Sequence, residues 1–132
     1  MKVVAVDYGS ARTGVAVSDP TGTIARPLGV VERAASEPGL ERLAALVREH
    51  DAERVVVGLP LTLRGEHGAQ ARETEAFVEA LRTAVDVPVE SFDERFTTGL
   101  AARVGSDEAE EDARAAAHLL SSYLEWANTS GE

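Results

Sequence analysis

The chain opens with two runs of small β-forming residues separated by a tight glycine-containing turn, in VVAVDYGSARTGVAVSD (residues 3–19). Residues 3–8 and 14–18 predict two strands, and the short connection between them predicts an antiparallel hairpin. The first strand ends on Asp7. A carboxylate at the mouth of an apolar strand is unfavourable unless another group offsets its charge. The hairpin therefore fixes the start of a sheet and provides a first candidate functional residue.

Three further stretches predict strands. Residues 24–32 are β-like, and Pro27 places this strand at an edge because proline cannot donate a ladder hydrogen bond. Residues 53–60 are almost wholly apolar, as in a central strand that is covered on both faces. Residues 87–92 predict the fifth strand.

Apolar stripes at helical spacing predict three main helices between and after these strands. Ser36 is a candidate N-cap for the first helix, and Thr97 or Thr98 is a candidate cap for a short extra helix that runs through Val104. The last helix begins near Asp107. The three stripes are Leu40, Leu43, Ala44 and Val47; Phe77, Ala80, Leu81 and Ala84; and Ala113, Ala116, Ala117, Leu120 and Leu124.

This order of elements predicts one α/β domain over residues 1–132, a length suited to a single core. The first three strands form an antiparallel meander, and strands one, four and five are parallel because helices connect them. The result is a mixed five-stranded sheet flanked by helices, which is the layout of the ribonuclease H-like fold.

Composition excludes several other classes. The chain has no cysteine, which excludes disulfides and thiolate metal sites. No apolar run approaches the roughly 20 residues of a membrane span, and the N-terminus reaches a charge too early for a signal peptide, so we expect a cytoplasmic protein with no membrane partner. The net charge of −10 argues against broad, non-specific adhesion to nucleic acid, although it leaves room for a local basic patch.

Acidic residues follow the strands at positions where parallel sheets bind ligands, the carboxyl ends. Asp7 ends the first strand, Asp93 and Glu94 follow the fifth, and Asp112 stands one residue before the apolar stripe of the last helix. We expect Asp7, Glu94 and Asp112 to converge within about 10 Å, a spacing that a pair of Mg²⁺ or Mn²⁺ ions would bridge. We also expect Gly9 and Gly14 to approach a neighbouring segment where a Cβ would not fit.

Four segments in this order resemble the YqgF/RuvX family, whose members are assigned to pre-16S rRNA processing and are related to RuvC-type Holliday-junction resolvases. The segments are VDYGSARTGVAVSD, VVVGLPLTLRGEHG, FDERFTT and DARAAAHLLSSYL. The resemblance implies a ribonuclease H-like nuclease domain that cleaves phosphodiester bonds with divalent metal ions and matures the 5′ end of 16S rRNA in ribosome biogenesis.

The resemblance also implies roles for individual residues. By position, Asp7, Glu94 and Asp112 correspond to the catalytic metal ligands, with Asp93 as a further ligand. Candidate substrate-binding residues hold phosphates or shape the turn and loop beneath them. They are Gly9, Arg12, Gly58, Pro60, Arg64 and Arg95.

Two positions depart from the family pattern. Thr13 replaces an apolar residue, and the basic stretch before the terminal aspartate is here VGSDEAEE. Together with Asp112, its four acids place five carboxylates in residues 107–112. Acids beside a phosphodiester repel it, so we expect weak, metal-dependent and salt-sensitive binding of structured RNA or branched DNA.

Other functions stay open at this level. A catalytically inactive binding module for RNA or protein would keep the same fold, and a resolvase-like DNA nuclease would keep the same acids. An actin-like ATPase also begins with an Asp-x-Gly hairpin but needs two such domains, which 132 residues do not supply. The sequence is compatible with a monomer or a homodimer.

Overall fold

The computed structural model describes residues 1–60, 68–93 and 108–129, which contain five strands and three helices. The strands are β1 (Val3–Asp7), β2 (Arg12–Ser18), β3 (Ala25–Glu32), β4 (Arg54–Leu59) and β5 (Val89–Asp93). The helices are α1 (Glu37–Glu49), α2 (Ala69–Ala84) and α3 (Glu108–Thr129). The short helix predicted through Val104 lies outside the described residues.

The five strands form one mixed sheet in the order β3-β2-β1-β4-β5. Strands β1, β2 and β3 pair antiparallel, whereas β1, β4 and β5 pair parallel. This confirms the predicted ribonuclease H-like arrangement. Pro27 lies on edge strand β3, as predicted, and pairs with Ala16 next to a register shift in the β2–β3 ladder.

The sheet is covered on both faces, and alternation along the strands assigns each residue to one of them. Val4, Val6, Val15 and Val17 pack with residues of α1 and α2, including Leu43 and Phe77. The opposite face packs against α3. Small side chains at its centre allow the helix to approach the strands closely, and that cluster contains Val3, Ala5, Ala16, Val56, Phe92, Ala116, Leu119 and Leu120.

The helix signals are largely confirmed. Ser36 caps α1, since its Oγ accepts a hydrogen bond from the Gly39 backbone N–H at 3.2 Å. Two buried faces differ in detail from the predicted stripes: α2 buries Val78 while Ala80 stays half-buried, and α3 buries Tyr123 in addition to its alanines and leucines. A helix packed against a broad sheet buries a wider stripe than the minimal spacing predicts.

Candidate active site

The turn between β1 and β2 is held by a buried threonine. The Thr13 hydroxyl accepts a hydrogen bond from the Gly9 N–H and can donate to the Gly9 carbonyl, both at 3.2 Å. A Cβ on Gly9 would lie 2.4 Å from the Arg12 carbonyl oxygen, which no side chain allows. The predicted close approach at Gly9 is therefore confirmed. Asp7 directly precedes this tight turn between β1 and β2.

Gly14 brings the last helix to this corner of the sheet. It pairs with Asp7 across the β1–β2 ladder. A Cβ on Gly14 would lie 1.9 Å from the Asp112 carbonyl oxygen and 2.5 Å from its carbon, so only glycine fits beneath α3. This confirms the predicted close approach at Gly14. Asp7 and Asp112 are thus both neighbours of one glycine.

Asp7 shares the α3 face of the sheet with Asp112. Side chains alternate along a strand, and Val3 and Ala5 of β1 both pack against α3. Asp7 continues that series and is half-buried. The structure therefore brings two of the predicted acids to the carboxyl end of β1 on one face.

Arg12 pairs with one of these acids. Its Nε donates to Asp112 Oδ2 at 2.7 Å, and the two side chains are 39% and 30% exposed. Arg12 is the first residue of β2 and lies on the same face as Gly14. The family resemblance implied a phosphate-binding role for Arg12. The structure adds its contact with the Asp112 carboxylate, 100 residues further along the chain.

The acid that ends β5 lies on the other face. Asp93 is in register with Leu59 of β4 and follows Phe92, which packs against α3. Alternation therefore directs Asp93 towards the α1 and α2 side, away from Asp7 and Asp112. Of the other predicted site residues, Gly58 and Pro60 lie at the end of β4, and Glu94, Arg64 and Arg95 fall outside the described residues.

Tyr8 is a residue at this corner that is not among the predicted site residues. Its ring stacks on Phe77 of α2, with centroids 4.4 Å apart and an interplanar angle of 18°. Burial, together with the nearby Glu73 carboxylate, raises the pKa of the Tyr8 phenol. The sequence signal for Tyr8 was its place directly after Asp7, in a chain with few aromatic residues. The stack fixes the end of β1 against α2.

The described acids suit a hard cation in chemical type but do not complete a site. Carboxylate oxygens are the ligands that Mg²⁺ and Mn²⁺ prefer. Asp112 already carries a cation, the Arg12 guanidinium, which shows that this corner accepts positive charge. Within residues 1–60, 68–93 and 108–129 no group of three or more His, Asp or Glu side chains is placed to hold a metal ion. The sequence-based prediction adds Glu94, which lies outside the described residues, to these two acids.

Solved structures with the same fold define the class of protein. RuvC of T. thermophilus, solved with a Holliday junction substrate, aligns with a TM-score of 0.60 at 18% identity and covers 94% of this chain and 93% of its own. Fowlpox virus resolvase, solved with Holliday junction DNA, aligns with a TM-score of 0.57 at 13% identity and covers 96% and 98%. The fold is therefore that of the RuvC-like, ribonuclease H-like proteins.

Sequence comparison gives the family. The profile of RuvX, described as a Holliday junction resolvase, matches residues 1–126. Relatives named "Putative pre-16S rRNA nuclease" include one from Chloroflexus aurantiacus, 39% identical over 93% of this chain and 86% of its own length. Another, from Desulforamulus reducens, is 34% identical over 95% and 97%. The chain belongs to the RuvX family of nucleases, as the motifs indicated. Within the described part of the chain, no helix has the length and apolar character to cross a membrane.

Proposed function

We propose that this protein is a divalent-metal-dependent endonuclease that cuts structured RNA, and that its substrate is the 5′ end of precursor 16S rRNA in the cytoplasm. The observation that carries the proposal is the position of Asp7 and Asp112, which share one face of the sheet on either side of Gly14. Membership of the RuvX family supplies the reaction class.

Three side chains would hold Mg²⁺ or Mn²⁺ in this proposal: Asp7, Asp112 and Glu94. We choose Glu94 over Asp93 because Asp93 lies on the opposite face of the sheet. When bound, the metal ions would neutralise charge on the phosphodiester and lower the pKa of the attacking water.

The protein's own contribution is to hold these carboxylates in place. The β1 ladder fixes Asp7, and the contact between Gly14 and the backbone of Asp112 fixes the first turns of α3. Both supports are backbone contacts, so they hold the main chain of the two acids at this corner.

Substrate contacts in the proposal come from the loops around this corner. Gly9 and Pro60 are half-buried beside the ends of β1 and β4, where we propose that the phosphodiester backbone approaches, whereas Gly58 is buried within β4 and would act by shaping that strand end. The three arginines assigned to phosphates, Arg12, Arg64 and Arg95, would supply the positive charge. Glu110 and Glu111 of α3 oppose it, and we expect binding to be strongly salt-dependent.

The test is cleavage of two labelled substrates, an RNA with the 5′ extension of 16S rRNA and a four-way DNA junction. Each is incubated with wild type, Asp7→Asn, Asp112→Asn and the control Asp86→Asn, with Mg²⁺, Mn²⁺ or a chelator. Asp86 is exposed and precedes the amino end of β5, at the opposite end of the sheet.

We expect RNA cleavage that requires metal, is lost in both site variants and persists in Asp86→Asn. Cleavage of the junction but not the RNA would replace the proposal with a resolvase-type DNA nuclease. Binding of RNA with no cleavage under any metal would indicate a non-catalytic binding module.

A further inference from the structure

The ion pair between Arg12 and Asp112 is distinguished by its position in the fold. Arg54 and Glu90 also pair between two elements, but near the amino ends of β4 and β5, at the opposite end of the sheet. The pairs of Arg42, Arg82 and Arg114 each join residues of a single helix. The Arg12 pair instead joins the start of β2 to α3 across 100 residues, at the candidate metal site itself. Its function is therefore tied to that site.

The surroundings of this guanidinium are acidic. Asp7 lies across the ladder from Gly14, Glu111 precedes Asp112 on α3, and Glu110 pairs with Arg114. Asp7 and Asp112 lie at the same corner of the sheet, and two neighbouring carboxylates repel each other unless a cation offsets their charge. Arg12 supplies such a cation to Asp112.

A divalent ion would compete with Arg12 for the same carboxylate. A guanidinium and a divalent cation on Asp112 repel each other across a few ångströms. Both side chains of the pair are about one-third exposed, so an ion can reach the Asp112 carboxylate from solvent. Once released, a guanidinium offers a planar fork of donors that matches a phosphate.

We propose that Arg12 is a displaceable counter-ion of the metal site. It holds Asp112 in the metal-free protein, leaves when a divalent ion binds, and then turns to the phosphate of the substrate. Metal loading and substrate binding are thereby coupled through one side chain. This inference rests on the proposed function, because it needs Asp112 to be a metal ligand.

The first test measures Mn²⁺ affinity by calorimetry in wild type, Arg12→Ala and the control Arg114→Ala. Arg114 is 42% exposed, close to the 39% of Arg12, and its partner is Glu110, so the control removes the same charge from the same region. We expect Arg12→Ala to bind Mn²⁺ about 5-fold more tightly, while Arg114→Ala changes affinity less than about 2-fold.

A double-mutant cycle identifies the carboxylate involved. In the Asp112→Asn background, the additional Arg12→Ala change should give no more gain than the Arg114→Ala control, because the contested ligand is already absent. Equal affinity of Arg12→Ala and Arg114→Ala, weaker binding by Arg12→Ala, or a gain that persists in Asp112→Asn would each overturn the inference.

A second measurement uses the unmutated protein. The Arg12 Nε–H is hydrogen-bonded to Asp112 and should give a separate guanidinium Nε–Hε cross-peak in a nitrogen–proton NMR spectrum. The peak is assigned by its loss in Arg12→Lys. Saturation with diamagnetic Mg²⁺ should shift or broaden this peak, and an unchanged peak would overturn the inference alone. Failure of wild type to bind Mn²⁺ or Mg²⁺ would overturn both the inference and the proposed metal-dependent nuclease.

Discussion

Gly14→Ala tests the contact that positions Asp112. The new methyl group would stand 1.9 Å from the Asp112 carbonyl oxygen, 2.5 Å from its carbon and 3.2 Å from the Ala113 nitrogen. All three atoms belong to backbone, so no side chain can rotate away. Helix α3 must therefore shift outward by about 1 Å or more to restore an ordinary contact distance.

The structural cost of this shift follows from the face that α3 covers. The helix packs on Ala5, Ala16 and Phe92, and a displaced helix loses part of this contact along its length. Overpacking of this kind costs about 2 kcal/mol, which lowers the Tm of a domain of this size by roughly 8 °C. The same shift separates Asp112 from Asp7, so metal-dependent cleavage should be lost as well.

The assay combines thermal unfolding with hydrogen exchange of the α3 amides. Gly29→Ala is the matched control, because Gly29 lies on neighbouring β3 with a φ of +156° and no atom within 4 Å of a built Cβ. That change should cost about 1 kcal/mol through backbone strain and leave α3 protected. A Gly14→Ala protein with wild-type Tm and unchanged α3 protection would refute the proposed close contact.

Three further outcomes follow from individual contacts. Ser36→Ala removes the N-cap of α1 and should lower stability by about 1 kcal/mol in urea unfolding, with no effect on metal affinity. Thr13→Val leaves the Gly9 backbone groups without their hydroxyl partner and should cost about 1 kcal/mol by the same measurement, whereas unchanged stability would show that the hydroxyl is dispensable. Burial, followed by a hydrogen bond to Glu90, raises the pKa of Tyr123. Its neutral form is therefore favoured by folding, so stability should be intact below about pH 10 and fall as the pH rises further, a decline that Tyr123→Phe should reduce.

Short-range features of the sequence predicted much of the fold. Because proline cannot donate a ladder hydrogen bond, Pro27 predicted that its strand lies at an edge of the sheet. Ser36 predicted the start of α1, because an N-cap side chain satisfies a backbone group within three residues of itself. The apolar run in β4 indicated a strand covered on both faces. Such features act over a few residues, so the sequence alone specifies them.

The acids of the site were predictable only as positions along the chain. The strand ends identified Asp7 as a catalytic candidate and Asp93 as a further metal ligand, both at the carboxyl edge of the sheet. Which face each one occupies depends on where α3 packs, and the packed Phe92 shows that Asp93 belongs to the other side. Side chains alternate between the two faces along any strand, but only a tertiary contact shows which of them face α3.

The sequence by itself determined the strand order, the N-cap of α1, the edge strand and the kinds of residue that could bind a cation. Only the tertiary structure decided that Gly14 lies beneath Asp112 and that Arg12 pairs with its carboxylate. Both contacts span about 100 residues and depend on the height and rotation of α3 above the sheet. Close packing of the small residues Ala5, Ala16 and Ala116 sets that placement, because the helix descends until backbone meets backbone at Gly14.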